Sequence, residues 1–273
     1  MNYYELTERL KNVSPDEYEY EAKVFIESFT HYSMPYILAH KDEDIAEEKL
    51  DLALERRENH EPLQYIVGMW EFYRQQYLLT HDCLIPRSDT EILVEKAIEL
   101  LPKGAFFADF CSGSGCIGVS TLAERPDTTA LFVEKYEMTM HLTHSNAKIN
   151  KVQDRAQCLL IDLLADDEKL AGMKFDAILS NPPYIRPEVI ETLAPEVKFE
   201  PYAALYGGED GLIFYRKIIG DYSTLVKKDG FMLLEIGYDQ ADDVISIAKQ
   251  KGLTCEIIKD YGGNDRVAYI KGF

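Results

Sequence analysis

Asn181-Pro182-Pro183-Tyr184 carries the densest chemistry in the chain. It follows an apolar run at 175–180 that reads as a buried strand. Proline fixes its own φ, holds the residue before it extended and donates no backbone hydrogen bond. The carbonyls of Asn181 and Pro182 are therefore left to accept from another partner. The Asn181 side chain adds an acceptor and two donors, and Tyr184 adds a flat aromatic face. Such a set is suited to holding a planar NH2 group while its nitrogen attacks an electrophile. A plain proline-rich turn would use the same four residues with no chemistry. The tetrapeptide alone also does not separate an amide from the exocyclic amine of a nucleobase.

A second constellation lies upstream. Asp109-Phe110-Cys111-Ser112-Gly113-Ser114-Gly115-Cys116-Ile117-Gly118 contains G-x-G-x-x-G after one strand and before a helix. Glycine lets the backbone approach a ligand closely, and Glu134, ending the next strand, suits a ribose diol. A dinucleotide would use both features. Asp109 argues against it, because a carboxylate at the mouth of the loop would repel a pyrophosphate and favour a cation. S-adenosylmethionine has the ribose diol, an ammonium and a sulfonium, and no phosphate. The expected cofactor is therefore S-adenosylmethionine. It would be held by Asp109, Cys111, Ser112, Gly113, Ser114, Gly115 and Glu134, with Asp162 and Leu163 beside the adenine and Asn181 at its reactive end. The bland alternative for Asp162 is a simple helix N-cap. No metal site is expected.

These residues need a frame. Strands are expected at 105–110, 129–133, 156–161, 175–180, 231–236, 254–258 and 266–270, with helices between most of them. A long helix is expected over 211–226. Alternating β and α elements imply a doubly wound, mostly parallel sheet, whose ligands bind beyond the strands' C-terminal ends. Ahead of it, residues 1–68 show helical spacing and read as a bundle of four or five short helices. Ser14-Pro15-Asp16-Glu17 looks like a capping-box start, and Ser88-Asp89-Thr90-Glu91 like another. The stretch at 69–87 alternates well enough for a β-hairpin connector, leaving 88–273 as the second domain.

Composition narrows the function. Acidic residues outnumber basic ones by 48 to 29, giving a net charge of −19. Phosphate contacts dominate nucleic-acid affinity and call for a basic patch, so a small-molecule or protein substrate is favoured over DNA or RNA. The N-terminal residues are polar and no apolar span reaches membrane length; a cytoplasmic protein with no membrane partner is expected. The five cysteines are odd in number and contain no CxxC pair, so neither a zinc site nor a disulfide framework is supported.

With these motifs in hand, the chain resembles the HemK/PrmC family of release-factor glutamine N5-methyltransferases. The resemblance rests on Glu61-Pro62-Leu63-Gln64-Tyr65-Ile66-Val67-Gly68, Ile85-Pro86-Arg87, the glycine loop, Asn181-Pro182-Pro183-Tyr184, Glu200-Pro201, Gly207-Gly208, Glu235-Ile236-Gly237 with Gln240, and Asp260 with Arg266. It covers nearly the whole chain. It implies a Rossmann-like, seven-stranded class I methyltransferase domain behind a helical substrate-docking domain. The implied substrate is the glutamine in the Gly-Gly-Gln loop of class 1 peptide-chain release factors, met by a monomer that binds no nucleic acid directly. Glu134 stands where the family commonly has Asp, and Ser88 and Arg74 replace a more usual Pro and Gly. Asn181, Pro182, Pro183 and Tyr184 would then be catalytic, with Tyr184 packed on the amide plane and no general base. Glu200 and Arg87 would either shape the substrate mouth or form an ordinary surface ion pair. Methylation of a ribosomal-protein glutamine or of a nucleic-acid amine would share this chemistry. A non-enzymatic module would not need the intact motifs.

Overall fold

The computed structural model describes residues 1–45, 47–165 and 168–273. The chain divides into two compact units: Met1–Met69 with Ala194–Phe199, and Trp70–Leu193 with Glu200–Phe273.

The first unit contains α1 (Tyr3–Lys11), α2 (Tyr18–Phe29), α3 (Met34–Ala39), α4 (Glu48–Glu58) and α5 (Leu63–Val67). Leu6 and Leu10 of α1, Ala22, Phe25 and Ile26 of α2, and Leu50, Ala53 and Leu54 of α4 form its buried apolar face. Full burial of one such Leu, Ile or Phe side chain contributes about 1.5–3 kcal/mol. The capping box is at Asn2 and Glu5, which exchange backbone-to-side-chain bonds of 3.0 Å, not at Ser14. Ser14 instead donates its N–H to Leu10 O and accepts from Glu17 N, closing the turn after α1. The helix that follows begins at Tyr18 with no side-chain cap. Inside this unit Arg57 makes a bidentate pair with Glu21, at 2.9 and 3.0 Å, both side chains being buried.

The second unit opens with a hairpin, β1 (Met69–Phe72) and β2 (Gln75–Leu78). Its two turn residues, Tyr73 and Arg74, both have positive φ, the geometry whose twist matches a two-residue hairpin. After a 3₁₀ turn at Ser88–Thr90 comes α6 (Glu91–Leu100). Here too the expected capping box is absent, because Glu91 Oε1 accepts from Tyr73 N at 3.0 Å. The sheet strands are β3 (Phe106–Phe110), β4 (Thr129–Glu134), β5 (Ala156–Leu160), β6 (Phe175–Ser180), β7 (Val226–Glu235), β8 (Thr254–Lys259) and β9 (Asp265–Lys271). The helices of this unit are α7 (Cys116–Glu124), α8 (Glu137–Ile149), α9 (Pro187–Ile190), α10 (Tyr202–Leu205), α11 (Ile213–Gly220) and α12 (Ala241–Gln250).

All seven expected strands form one sheet of order β5-β4-β3-β6-β7-β9-β8. It is parallel except for β9, which is antiparallel to both neighbours. Its middle strands are covered on both faces: Phe175, Ala177, Ile178 and Leu179 of β6 and Met232, Leu233 and Leu234 of β7 are fully buried, as parallel strands require. The helix expected over 211–226 is shorter. Gly211 has φ +76, α11 stops at Gly220, Tyr222–Leu225 is a 3₁₀ turn, and Val226 already belongs to β7. Among the described residues no helix is long and apolar enough to cross a membrane.

Candidate active site

The chain runs outward through β3, β4 and β5, then returns to β6 on the other side of β3. Such a reversal leaves a crevice at the C-terminal ends of the strands. A cleft of about 330 Å³ occupies that place. Cys111, Ser112, Gly113 and Ser114 enter it after β3, Glu134 ends β4, Ile161, Asp162 and Leu163 follow β5, and Asn181 and Pro183 follow β6.

The glycine loop is fixed from behind. Thr143 of α8 donates its hydroxyl to Gly113 O at 2.7 Å. Asn146, fully buried on the same helix, donates Nδ2 to Ser114 O at 2.9 Å and Leu78 O at 3.1 Å. Its Oδ1 accepts Leu78 N at 2.7 Å, so one side chain ties the loop to the hairpin. Gly113 has φ +56, and a Cβ there would meet only Cys111 O at 4.0 Å. That is an open cradle for a ligand. Gly115 is different. It is not a lining residue, and a Cβ would press on Thr143 Cγ2 at 2.9 Å. Its glycine serves the packing of the loop against α8.

Glu134 accepts from Gly113 N at 3.0 Å, Lys135 N at 2.8 Å and Tyr136 N at 3.1 Å. Three backbone donors orient the carboxylate, and its remaining lone pairs suit a vicinal diol. Asp162 accepts from Leu164 N at 3.0 Å and pairs with Lys135 Nζ at 2.9 Å. This is a local turn rather than a helix cap, with the pair to Lys135 holding the carboxyl below its usual range against the cost of burial. Ser112 Oγ is buried with no protein partner among the described residues. A cradle that takes a ligand's backbone approach, a carboxylate suited to a diol, an orphan hydroxyl and apolar walls at Ile161 and Leu163 fit a ribonucleoside.

Asp109 does not stand at the mouth of the loop. It is fully buried and accepts Gly118 N at 2.9 Å, clamping the start of α7 beneath the loop. Burial pushes its pKa well above the usual carboxylate range. The expectation that this carboxylate faces a cation is thus not matched by its position, and it is not a lining residue. Burial likewise raises the Cys111 and Cys116 thiols, so neither offers a thiolate to the cleft.

After β6, Ser180 Oγ donates to Phe110 O at 2.6 Å and fastens the strand end to β3. Asn181 then faces the cleft, with Nδ2 donating to Thr90 Oγ1 at 3.4 Å. Pro183 lines the cleft, and Pro182 is buried outside the lining. Tyr184 turns away from it: its ring packs against the hydrophobic core and its hydroxyl donates to Glu235 Oε1 at 3.5 Å. The peptide at Tyr184 is braced by Gln240 Nε2, which donates to Tyr184 O at 3.1 Å and Gly211 O at 3.2 Å. Gly207 lies so close that a Cβ would sit 2.5 Å from Tyr184 Cα.

Glu235 ends β7 beside this motif and is 1% exposed. Burial lifts its pKa to about 7, opposed by the Thr90 hydroxyl and the Arg266 guanidinium. Arg87 and Glu200 do not line the cleft, and their pair is half-exposed at Arg87 and buried at Glu200. Glu200 is buried, accepts Ile85 N at 3.0 Å and pairs with Arg87. It braces Leu84 and Pro86 against Pro201, and those three do line the cleft. Thr90, which lines the cleft, and Thr143 and Asn146, which hold the loop from behind, are given no site role by sequence reasoning. All act through contacts distant along the chain, and no short spacing announces them.

The strand order with its one reversed strand, and a cleft beyond β3, β4, β5 and β6, define a class I methyltransferase domain. The solved structure of a methyltransferase from Pyrococcus furiosus shares that fold, with a TM-score of 0.54 over 71% of this chain and 86% of that one, at 15% identity. Residues 88–197 match the methyltransferase small domain, and residues 4–68 match the PrmC N-terminal domain. The release factor glutamine methyltransferase of Aquifex aeolicus is 36% identical over 98% of this chain and 95% of its own length. That of Clostridium botulinum is 36% identical over 94% and 93%, and that of Salmonella typhimurium 33% over 90% and 90%. The chain belongs to the release factor glutamine methyltransferases, the PrmC family, as its motifs implied.

Proposed function

We propose that the protein transfers a methyl group from S-adenosylmethionine to the side-chain nitrogen of the glutamine in the Gly-Gly-Gln loop of class 1 release factors. The carrying observation is that Gly113, Glu134 and Asn181 face one cleft from three strand ends. Bound there, S-adenosylmethionine would supply a methyl on a positively charged sulfur, open to in-line attack. Gly113 and Ser114 would take its close approach, Glu134 its ribose, and Asp162 and Leu163 its adenine. The Asn181 side-chain oxygen would accept an amide hydrogen of the substrate and turn its nitrogen toward the donor; the Pro182 carbonyl, expected as the second acceptor, belongs to a residue buried outside the lining. Amide nitrogen is a poor nucleophile, yet its proton can leave after attack, so orientation matters more than a base. Such orientation can supply about 7–11 kcal/mol in favourable cases. The same acceptor dipole stabilises positive charge developing on nitrogen. Tyr184, turned toward Glu235, would act by holding the motif rather than by covering the amide. The net charge of −19 supports a protein over a nucleic-acid substrate, and a cytoplasmic monomer is the expected form.

The test is methyl transfer from labelled S-adenosylmethionine to a release factor, to the same factor with its loop glutamine changed to alanine, and to DNA and rRNA. Label is expected on the unaltered factor alone. Equal labelling of both factors would remove the assigned acceptor. Asn181→Ala is expected to abolish most turnover while leaving cofactor affinity within about threefold, the pattern of an interaction made in the transition state.

A further inference from the structure

Glu235 is a buried carboxyl that no step above uses. It ends β7, one residue beyond Leu234, which pairs with Ser180 in the sheet. The two adjacent strand ends therefore place Glu235 beside Asn181. Two hydroxyls converge on it. Tyr184 donates to Oε1 at 3.5 Å, and the Thr90 hydroxyl interacts with the same carboxylate. Oε2 is buried and has no partner at hydrogen-bond geometry among the described residues. Thr90 is itself 1% exposed, and its Oγ1 accepts Asn181 Nδ2 at 3.4 Å.

The arrangement has a direction. A threonine hydroxyl has one hydrogen and two lone pairs. If the hydrogen turns to the carboxylate, only lone pairs remain for Asn181, and these can be met by NH2 but not by the amide oxygen. An amide turned over would set its oxygen against another acceptor. We propose that Glu235 is a positioning residue, which through the Thr90 hydroxyl fixes the Asn181 amide with its nitrogen inward and its oxygen toward the substrate, and through Tyr184 holds the following turn. Arg266 supports this. It pairs with Asp89 and Asp260 at 3.1 Å each, and with Glu235 it encloses the polar side of the segment that carries Thr90. The inference rests on Asn181 being the substrate acceptor.

The experiment compares Thr90→Val, Thr90→Ser, Glu235→Leu, Glu235→Gln, the Thr90→Val/Glu235→Leu double variant and Asn181→Ala. For each, kcat and KM with a release factor, cofactor Kd by calorimetry and melting temperature are measured. Thr90→Val keeps the side-chain shape and removes the hydroxyl. It is expected to lower kcat about tenfold, with cofactor Kd within about twofold. Glu235→Leu should lose at least as much. The double variant should lose no more than the worse single one, because both break one chain of bonds. Thr90→Ser and Glu235→Gln, which keep an acceptor-ready hydroxyl and a carbonyl oxygen, should recover to within about threefold of wild type. Full kcat in Thr90→Val, multiplicative losses in the double variant, or a loss confined to cofactor affinity would each overturn the proposal. If Glu235→Leu does not fold, the two Thr90 variants decide alone. An inactive Asn181→Ala beside a fully active Thr90→Val sinks only this inference. A fully active Asn181→Ala sinks the acceptor assignment beneath it.

Discussion

Replacing Glu235 by Gln should make the protein's stability less dependent on pH, and the sign can be worked from the site. Burial raises this carboxyl from 4.5 to about 7. In the unfolded chain it ionises near 4.5; in the folded protein it keeps its proton until near neutrality. Between those values the unfolded state binds fewer protons, so stability falls as pH rises. The contribution is fully present below 4.5 and is gone above 7. A shift of that size corresponds to roughly 3 kcal/mol at about 1.4 kcal/mol per unit. Gln has nearly the same shape and does not ionise. Urea unfolding of both proteins across pH 4 to 8 should therefore show wild type losing about 3 kcal/mol relative to the variant. Glu200 and Asp109 are also raised by burial, but they are present in both proteins and cancel in the difference. The groups that act on Glu235 itself, Arg266, Asp89, Tyr184 and Thr90, are likewise unchanged. Parallel stability curves would show that its pKa is not perturbed. Wild type gaining on the variant as pH rises would show that Arg266 outweighs burial and holds the carboxylate ionised.

Asn146→Ala removes three hydrogen bonds that join the glycine loop to the hairpin. It should cost about 3 kcal/mol, read as a lower melting temperature, and weaken cofactor binding with it. Gly207→Ala forces a methyl to within 2.5 Å of the Tyr184 backbone. It should destabilise by about 1–3 kcal/mol and lower kcat more than cofactor affinity, measured by calorimetry beside turnover. Arg57→Met leaves Glu21 as an uncompensated buried charge in the helical unit. Denaturant unfolding should register a loss of about 3–5 kcal/mol.

How much of this can be read in advance varies with the range of the interaction. The strands are legible because buried parallel strands are short apolar runs, as at 175–180 and 231–236. Asn181 facing the cleft follows from a strand that must end at two prolines. The helix start expected at Ser14 fails because a Ser-x-x-Glu spacing says nothing about whether the preceding helix still needs that N–H; Leu10 O does, and it takes Ser14 N. Tyr184 and Asp109 sit on the correct elements, but the direction of each side chain depends on packing. Phe132 crowds Gly118 above Asp109, where a Cβ would meet it at 2.4 Å. Glu235 draws the Tyr184 hydroxyl inward. Asn146 is invisible for a simpler reason, since its partner Leu78 lies 68 residues away along the chain.

Beyond the motif, Ile185 N donates to Leu205 O at 2.8 Å and Gly207 N to Ile185 O at 3.0 Å, while Glu200 is fastened to Ile85. These bonds form a clasp at the base of the excursion that leaves the sheet after Ile185. Covalent continuity through residues 187–193 is therefore not what keeps Asn181 in place. A protease nick in that stretch would leave both cut ends secured at their roots, and the nicked protein would retain its clamp. The chain can change in length there without disturbing Asn181 and Pro183 at the cleft.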